Sequence, residues 1–560
     1  MYNIYGKKIN LRKWQREAVD YLSSHMDGKH MLAVVAPTGA GKTPVAYEMM
    51  KRGLQQGRRV IYASPLKAIS NERFMELKYS MLEGVEPGII TGDVDVNTSS
   101  QLLMVTTEIL RNSPGLMRHS LVVFDEVHYV SISPDRARTF AEVLLMMGEA
   151  DMDAIPMLLT ATLAPTREEM DEVLEFLSSL AAKKPALYVH TKRPVPLKVP
   201  RNPFSMKKLR KALVFVNSYK EAFEVARKIA SYRVPVRSKW KRFKEILEDV
   251  GGERSGYIRA KLIKRGVGMH HGNLLPGEKI AMEIAFREGV VDVVVGTTTL
   301  AYGVNMPADV VVFNSSRRYD GTPYTANEFL QMAGRAGRPG LSDVGLIGGF
   351  KKSVHKWVAR MLKEAKPRFV LLPQPSPRPF VEAVYETGKT DKKTMRKVAR
   401  QENAFLASIT YGAEPMKVFP ADYKRVAAVL LSLSQQTGIP INQFAGHVLK
   451  AWGDELMEGW REGRSWFFET GLPYIAGGWN GVYYEIDAYP LIALPLLEEK
   501  MEKGGISGKT LYAARQRLKW LKSINRRDPE LFRVFALEDA EDVVESVDPL
   551  KERLEVAEED

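Results

Sequence analysis

Apolar residues in the first third of the chain fall into short runs, separated by stretches with the spacing of amphipathic helices. The runs have the length of a strand and are apolar at consecutive positions, as expected for strands buried on both faces of a parallel sheet. The helical stretches provide the crossovers that parallel strands need. The pattern predicts strands at Met31–Ala36, Val60–Ala63, Leu102–Val105, Leu121–Phe124 and Met157–Leu159.

A proline-rich segment, Arg193–Leu197, ends this series and is stiff enough to act as a linker. A second alternating series follows it and predicts another parallel α/β domain, which ends near Phe350. Its predicted strands are Ala212–Val216, Val267–Met269, Val290–Val295 and Val310–Phe313.

The last third of the chain has mostly helical patterning. Lys351–Leu372 is predicted as a helix, and four alternating prolines then form an extended spacer. Phe380–Thr387 ends at a glycine and Lys392–Arg400 follows the capping residue Asp391, which predicts a helix-turn-helix or winged-helix module. The predicted domains are 1–198 and 199–355 (both α/β), 356–415 (linker and winged-helix-like module), 416–537 (helical accessory domain) and 538–560 (acidic tail).

Charge changes this picture by indicating a polyanionic partner. The chain of 560 residues has a formal net charge of +14, and residues 191–265 alone hold 22 Lys/Arg against 6 Asp/Glu. A basic body of this kind favours nucleic acid, since neutralised phosphates release counterions; a solvated charged surface is the alternative. Cysteine is absent, which excludes disulfides, thiol catalysis and cysteine-ligated metal centres. With no signal-peptide pattern and no apolar stretch long enough to span a membrane, we expect a cytoplasmic protein that binds no membrane.

A glycine-rich loop after the first strand points to a nucleotide. Glycines let backbone amides approach phosphates closely, and the helix N-terminus that follows adds a favourable dipole. Lys42 is predicted to neutralise the terminal phosphates and Thr43 to hold Mg²⁺. The predicted ATP-binding loop consists of Ala36, Pro37, Thr38, Gly39, Ala40, Gly41, Lys42 and Thr43.

Two acidic residues end the strand Leu121–Phe124. A carboxylate at the carboxyl tip of a strand can hold the Mg²⁺ shell while its neighbour activates water. We therefore predict Asp125 as a metal-holding residue and Glu126 as the catalytic base. Gln15, after Trp14, is predicted to read the adenine edge, with an ordinary surface position as the alternative.

These segments resemble the motifs of superfamily 2 helicases. Their residues are most similar to those of the superkiller-like branch, whose archaeal members include the Hjm-type DNA helicases. The resemblance covers roughly residues 12–412. It rests on segments that occur in the order of that family: the phosphate loop, Pro65–Ala68, Thr106–Glu108, Asp125–His128, Thr160–Thr162, Arg193–Leu197, Leu213–Ser218, His270–Gly272, Gly296–Ala308 and Gln331–Gly340.

The resemblance implies two RecA-like lobes that share one ATP site. Gln331, Arg335 and Arg338 would act in catalysis from the second lobe, with Arg338 as the arginine finger. Gly303 and Asn305 would also line the ATP cleft. The separate lobes explain why a metabolic kinase or transporter ATPase does not fit this sequence.

The same resemblance implies a groove for one nucleic-acid strand across the tops of both lobes. His128, Thr160 and Thr162 would couple that groove to the ATP site. A tight turn after Val310–Phe313 is predicted as a short strand-separating pin, with an ordinary loop as the alternative. The predicted strand contacts are Lys67, Thr107, Asn217, Thr297, Thr299, Arg317 and Tyr319.

Together these features predict an ATP- and Mg²⁺-dependent helicase, monomeric, moving 3′ to 5′ as the resemblance implies. DNA is favoured over RNA because the motif residues resemble those of archaeal DNA helicases, which implies a role in repair or replication-fork processing. An RNA helicase of the same branch, or an ATP-switched clamp that does not separate strands, are the alternatives.

Overall fold

The computed structural model describes residues 2–4, 7–65, 67–80, 82–91, 95–250, 258–272, 274–301, 306, 308–318, 321–337, 342–451 and 528–530. The chain divides into two compact units, Met1–Leu371 and Leu372–Asp560. The division falls within the segment that the sequence predicts as a linker and winged-helix-like module. The first unit contains both α/β lobes.

The first lobe consists of ten strands and six α-helices among its described residues. The strands are β1 (Tyr2–Ile4), β2 (Lys7–Ile9), β3 (His30–Val35), β4 (Arg59–Ser64), β5 (Gly88–Ile90), β6 (Asp95–Val96), β7 (Leu102–Thr106), β8 (Ser120–Phe124), β9 (Ile155–Thr160) and β10 (Lys184–Val189). The helices are α1 (Lys13–Ser23), α2 (Lys42–Gln55), α3 (Lys67–Ser80), α4 (Thr107–Asn112), α5 (Pro134–Met147) and α6 (Arg167–Leu180).

The main sheet of the first lobe has the strand order β10-β3-β9-β8-β4-β7-β5-β6. All neighbours are parallel except β6, which runs antiparallel to β5 at one edge. β7, β8 and β9 are buried along their whole length, as expected for central parallel strands covered by helices on both faces. β1 and β2 form a separate antiparallel pair.

The second lobe contains a six-stranded parallel sheet with the order β11-β16-β15-β12-β14-β13. Its strands are β11 (Leu197–Lys198), β12 (Ala212–Phe215), β13 (Val267–His270), β14 (Val293–Gly296), β15 (Val310–Phe313) and β16 (Gly345–Gly349). Its helices are α7 (Tyr219–Ser231), α8 (Arg237–Asp249), α9 (Ala260–Ile263), α10 (Pro276–Glu288), α11 (Ala326–Ala333) and α12 (Lys352–Glu364).

The described part of the second unit is helical: α13 (Arg378–Thr387), α14 (Lys392–Ile409), α15 (Pro420–Thr437) and α16 (Ile441–Lys450). They enclose an apolar core that includes Phe380, Leu406 and Phe444. Gly388 ends α13 with a positive φ, and the Asp391 carboxylate caps α14, so the predicted helix pair is present. Among residues 372–451 and 528–530 no strand accompanies this pair.

The predicted fold class, two tandem parallel-sheet domains followed by helices, is confirmed. The helix predicted for Lys351–Leu372 is shorter and ends at Glu364. Pro367 explains this end, because a proline disfavours helical backbone in the residue before it. The strand predicted at Val290–Val295 starts later, at Val293. In the part of the chain that is described, no helix is long and apolar enough to cross a membrane.

Candidate ATP site and nucleic-acid interface

Most of the predicted site residues that the structure describes gather at the carboxyl ends of the parallel strands. In the first lobe, β3 leads into the phosphate loop, β8 into Asp125 and β9 ends at Thr160. In an open parallel sheet, this edge is where loops can converge on a ligand. The sheet order places β9 between β3 and β8, so three of the predicted motifs follow consecutive strands.

The phosphate loop is built for close approach by a ligand. Gly39 and Gly41 have φ values of +79° and +98°, which side-chain-bearing residues rarely adopt. Helix α2 begins at Lys42, directly after Gly41. The Lys42 ammonium donates to the Ala36 carbonyl oxygen at 2.9 Å, which holds it across the mouth of the loop. The open backbone, helix N-terminus and lysine fit a nucleotide phosphate chain.

Gln15 lies against this loop. Its Nε2 donates to the Gly41 carbonyl oxygen at 2.8 Å, and its Oε1 accepts from the Arg12 backbone at 2.6 Å. A Cβ at Gly41 would lie 2.7 Å from Gln15 Nε2, so the glycine is required for this approach. Gln15 therefore fixes the loop, while its contact with adenine stays a prediction. Trp14 stacks on His190 with ring centroids 4.4 Å apart at the same end of the lobe.

The carboxylates after β8 have different environments. Asp125 is 7% exposed, and its Oδ2 accepts a hydrogen bond from the buried Tyr62 hydroxyl. Its Oδ1 accepts from the Glu126 backbone at 2.9 Å. The Glu126 side chain is 31% exposed, and its backbone has a φ of +52°, a left-handed conformation uncommon for glutamate. Backbone strain of this kind is concentrated at functional sites.

The surroundings of the two carboxylates shift their pKa values in opposite directions. Burial raises the pKa of Asp125, as does repulsion from Glu126. Burial would also raise the pKa of Glu126, but the charges of His128, Lys42 and Arg335 lower it below its usual value. Glu126 is therefore an anion at neutral pH, as a residue that accepts a proton from water must be.

His128 joins the first lobe to the second. Its Nδ1 lies 3.4 Å from Glu126 Oε2 and 3.2 Å from Thr160 Oγ1, and Gln331 on α11 hydrogen-bonds its side chain. The Thr160 hydroxyl in turn donates to the Thr162 carbonyl oxygen at 2.8 Å. Burial lowers the pKa of His128 below its usual value. The predicted coupling residues thus form one hydrogen-bonded chain that reaches Gln331.

The turn after α11 brings Arg335 to the same place. The charge of Arg335 acts on both Glu126 and His128. Arg193, from the linker between the lobes, donates Nη2 to the carbonyl oxygens of Gly334 and Ala336 at 2.9 and 2.6 Å. The linker therefore holds the arginine-bearing turn in its conformation.

We expect Gly337→Ala to destabilise this turn more than a glycine substitution of similar φ elsewhere. Gly337 has a φ of +94°, and an added Cβ would lie 2.5 Å from Val195 Cγ1. We expect the unfolding free energy to fall by roughly 2–4 kcal/mol, since left-handed backbone and overpacking add. Gly57→Ala is the matched control, because Gly57 has a φ of +74° and no heavy atom near the added Cβ. Equal losses in chemical denaturation would contradict the close packing.

The strand-contact residues that are described lie at the same carboxyl edges. Thr107 opens α4 and is buried, while Thr297 follows β14 and donates its backbone N–H to the His270 carbonyl oxygen at 3.2 Å. The Asn217 Oδ1 accepts from the Tyr324 hydroxyl at 2.7 Å. Arg317 forms an antiparallel bridge with Pro323, which closes a tight turn. Their contacts with a nucleic-acid strand stay predictions.

Several predicted residues lie outside the described part of the chain: Gly303, Asn305, Tyr319 and Arg338. Lys67 is the first residue of α3 and Thr299 lies in a short 3₁₀ helix, Thr298–Ala301, but their side chains are also outside the described set. The roles of all six stay predictions.

His270 and His271, at the end of β13, are buried uncharged. Burial and the charge of Lys279 lower their pKa values to about 3 and about 4. The unfolded chain binds protons at both below about pH 6.5. The contribution of the uncharged pair to the unfolding free energy is therefore complete above that pH. It is lost as the pH falls toward the folded-state pKa values of His271, about 4, and His270, about 3.

Because both histidines have lower pKa values in the folded chain than in the unfolded chain, unfolding at pH 5 should take up about two protons at the pair. His271→Asn should remove about one of them, which lowers the slope of unfolding free energy against pH between pH 4 and 6. Denaturant titrations at several pH values measure the slope. His25→Asn is a suitable control, because His25 lies on the surface. An unchanged slope in His271→Asn would show that His271 titrates normally.

Sequence reasoning missed residues that hold the motifs in place. Arg136 on α5 donates to the Pro65 carbonyl oxygen and to Glu108 Oε1, so it links two predicted strand-contact segments. Tyr62 orients Asp125, and Arg193 fixes the turn with Arg335. No pattern around these residues signals the contacts, because the partners lie far away in the sequence.

Comparisons with known proteins agree with this arrangement. The model of the DEAD/DEAH box helicase domain matches residues 12–170, and that of the helicase conserved C-terminal domain matches residues 198–340. The human exosome RNA helicase MTR4 is 28% identical over 412 residues. The mouse superkiller complex protein 2 is 29% identical over 410 residues, and an uncharacterized helicase, C17H9.02 of Schizosaccharomyces pombe, is 30% identical over 405. This chain matches both domain models of a helicase core and is similar over that core to superkiller-like helicases. The two matched domains are those of ATP-hydrolysing helicases.

The match covers the helicase core and not the whole relatives. The matches span 59–60% of this chain. They cover 38% of human MTR4, 32% of the mouse superkiller complex protein 2 and 38% of the S. pombe helicase. The preference for DNA and the nearness to archaeal DNA helicases, which the sequence predicted, find no support among these relatives. MTR4 proteins of several organisms are named RNA helicases.

Proposed function

We propose that this protein is an ATP-dependent RNA helicase that moves along one strand. The observation that carries the proposal is the convergence of Glu126 and His128 from the first lobe with Gln331 and Arg335 from the second. A site divided in this way can close and reopen with each ATP, which is how hydrolysis moves one lobe against the other.

The residues of the site fit ATP and Mg²⁺. The glycine-lined loop and Lys42 would hold the phosphates, while Thr43 and Asp125 would hold the metal. When bound, Mg²⁺ would neutralise charge on the transferring phosphoryl group. Glu126, ionised and partly exposed, would orient the attacking water and accept its proton. Arg335, and by the resemblance Arg338, would stabilise the negative charge from the opposite lobe.

The nucleic-acid strand would lie across the carboxyl edges of both sheets. Arg136 ties the Pro65 and Glu108 segments to each other, so α3 and α4 present one surface in the first lobe. In the second lobe, Glu221 receives the Asn217 backbone N–H at 2.7 Å and also binds Asn314. Asn217 and the end of β15 are thus held together at the matching edge.

RNA is proposed over DNA because the relatives named for a substrate are named for RNA. The test is to measure ATP hydrolysis with single-stranded RNA and with DNA of the same sequence, over a range of salt. We expect greater stimulation by RNA, which falls as salt rises because phosphate contacts release counterions.

The other outcomes of this experiment are equally informative. Greater stimulation by DNA would favour the substrate that the sequence predicted. Stimulation by RNA without separation of a 3′-tailed duplex would favour an ATP-switched clamp. No stimulation by either polymer would contradict the proposed function.

A further inference from the structure

Behind the metal-holding carboxylate lies a group of polar side chains that the phosphate and strand motifs do not include. Tyr47 belongs to α2, Tyr62 to β4, and Arg73 and Glu76 to α3. Tyr47, Tyr62 and Glu76 are buried, and the Arg73 side chain is 18% exposed. Buried polar groups in an otherwise apolar lobe need partners, since a buried group without a hydrogen bond is costly.

Tyr62 acts directly on Asp125. Its hydroxyl donates to Asp125 Oδ2, and the other oxygen of that carboxylate receives the Glu126 backbone N–H. The two donors fix the plane of the carboxylate. A metal ligand held at both oxygens keeps its orientation before the ion arrives, which is the usual effect of groups outside the coordination sphere.

Arg73 and Glu76 connect α3 to α2. Arg73 Nη1 lies 2.5 Å from Glu76 Oε2, and the Tyr47 hydroxyl donates to the same oxygen at 2.8 Å. Glu76 thus joins α3 to α2, the helix that begins in the phosphate loop.

The helix α3 links this network to the predicted nucleic-acid groove. The helix begins at Lys67, which is predicted to hold a phosphate of the bound strand, and Arg73 and Glu76 lie about 1.7 and 2.5 turns further along. A helix moves as a rigid rod over such a length, so a displacement at its first turn is carried to both residues. The same helix therefore has a predicted strand contact at its start and, in its middle, the bridge to the helix that begins in the phosphate loop.

We propose that Tyr62 and Arg73 are positioning residues for the two groups that would hold Mg²⁺. Tyr62 holds Asp125, and Arg73, through Glu76 and Tyr47, couples strand binding at the start of α3 to α2, the helix that carries Thr43. This rests on the proposed function, since it needs a strand in the groove. By linkage, a strand that favours the metal-ready arrangement strengthens Mg²⁺ binding by the same factor by which Mg²⁺ strengthens strand binding. The network makes hydrolysis depend on the strand through the metal.

The test is the Mg²⁺ dependence of ATP hydrolysis, with and without oligouridylate RNA. In the wild type, RNA should lower the half-saturating Mg²⁺ concentration. Tyr62→Phe, which removes one hydroxyl, should raise that concentration by about tenfold in both conditions, the effect of one hydrogen bond to a charged group. Arg73→Gln should abolish the difference that RNA makes, and Arg73→Lys should restore part of it.

Tyr423→Phe is the matched control, because its buried hydroxyl contacts the Ser376 carbonyl oxygen in the second unit. It should leave the Mg²⁺ dependence as in the wild type. Thermal melting of each variant separates loss of fold from loss of positioning, because a merely structural role would lower the melting temperature without moving the Mg²⁺ requirement.

The failures are distinguishable. If RNA stimulates the wild type but Tyr62→Phe has a normal Mg²⁺ requirement, the positioning role is overturned. If Arg73→Gln keeps the full effect of RNA on Mg²⁺, the coupling is overturned while the helicase proposal stands. If no nucleic acid stimulates the wild type, the proposed function itself fails.

Discussion

Glu126→Gln is expected to lower the turnover number for ATP by roughly a hundredfold to ten-thousandfold, the range for loss of a general base. The amide keeps the shape of the side chain but takes no proton from water. Because Glu126 lies beside the phosphate loop and is not part of it, nucleotide affinity should stay close to that of the wild type. Steady-state kinetics and binding of a fluorescent ATP analogue separate the two effects.

Glu142→Gln is a control from the same lobe. Glu142 lies on α5 and pairs with Arg138, away from the carboxyl edge of the sheet. Its turnover should equal that of the wild type. A normal turnover number in Glu126→Gln would remove this carboxylate from the chemistry and leave the left-handed backbone at Glu126 without a functional reason.

Lys42→Ala is expected to weaken ATP binding and to lower turnover by at least about a hundredfold, since it removes a fixed positive charge from the transferring phosphates. It also removes the hydrogen bond from Nζ to the Ala36 carbonyl oxygen across the loop. Unlike Glu126→Gln, this variant should lose affinity and turnover together. Isothermal titration with a non-hydrolysable analogue measures the first and phosphate release the second.

Lys51→Ala serves as the comparison because Lys51 is on the same helix, α2, and pairs with Glu83 near the surface. It should bind and hydrolyse ATP normally. If Lys42→Ala bound the analogue as tightly as Lys51→Ala does, the loop would not hold the phosphates in the proposed way.

The phosphate loop and the acidic pair could be predicted from the sequence because each is short and local. A glycine-rich turn between a strand and a helix has few other uses, and in the structure two of its glycines have left-handed backbone. The alternating apolar runs predicted the central strands for a similar reason, since strands buried on both faces leave a continuous apolar signal.

Other elements left no such signal. β16 contains Gly345, Gly348 and Gly349, so its apolar pattern is broken. The structure explains why: a Cβ at Gly348 would lie 2.6 Å from His355 Nδ1, and α12 packs directly on the strand. Residues of α12 occupy the space where side chains of β16 would lie, so the strand has glycines instead of an apolar run. Such a strand cannot be recognised from its own hydrophobicity.

The support for Asp125 was also beyond the sequence. Tyr62 and Asp125 come together because β4 and β8 pair in parallel, with Ala63 opposite Phe124. That register is a property of the sheet and not of either segment. The same holds for Arg193, which contacts a turn 141 residues away at Gly334. Motifs could be predicted where the chemistry is local, and missed where distant segments support it.

We expect an ATP site shared by two lobes to drive the separation of RNA strands. The most direct measurement is separation of a 3′-tailed RNA duplex, followed by fluorescence, with wild type and with Glu126→Gln at saturating ATP. We expect strand separation by the wild type only, with both proteins binding the duplex equally. Separation by Glu126→Gln at the wild-type rate, or ATP hydrolysis by the wild type with the duplex left intact, would contradict it.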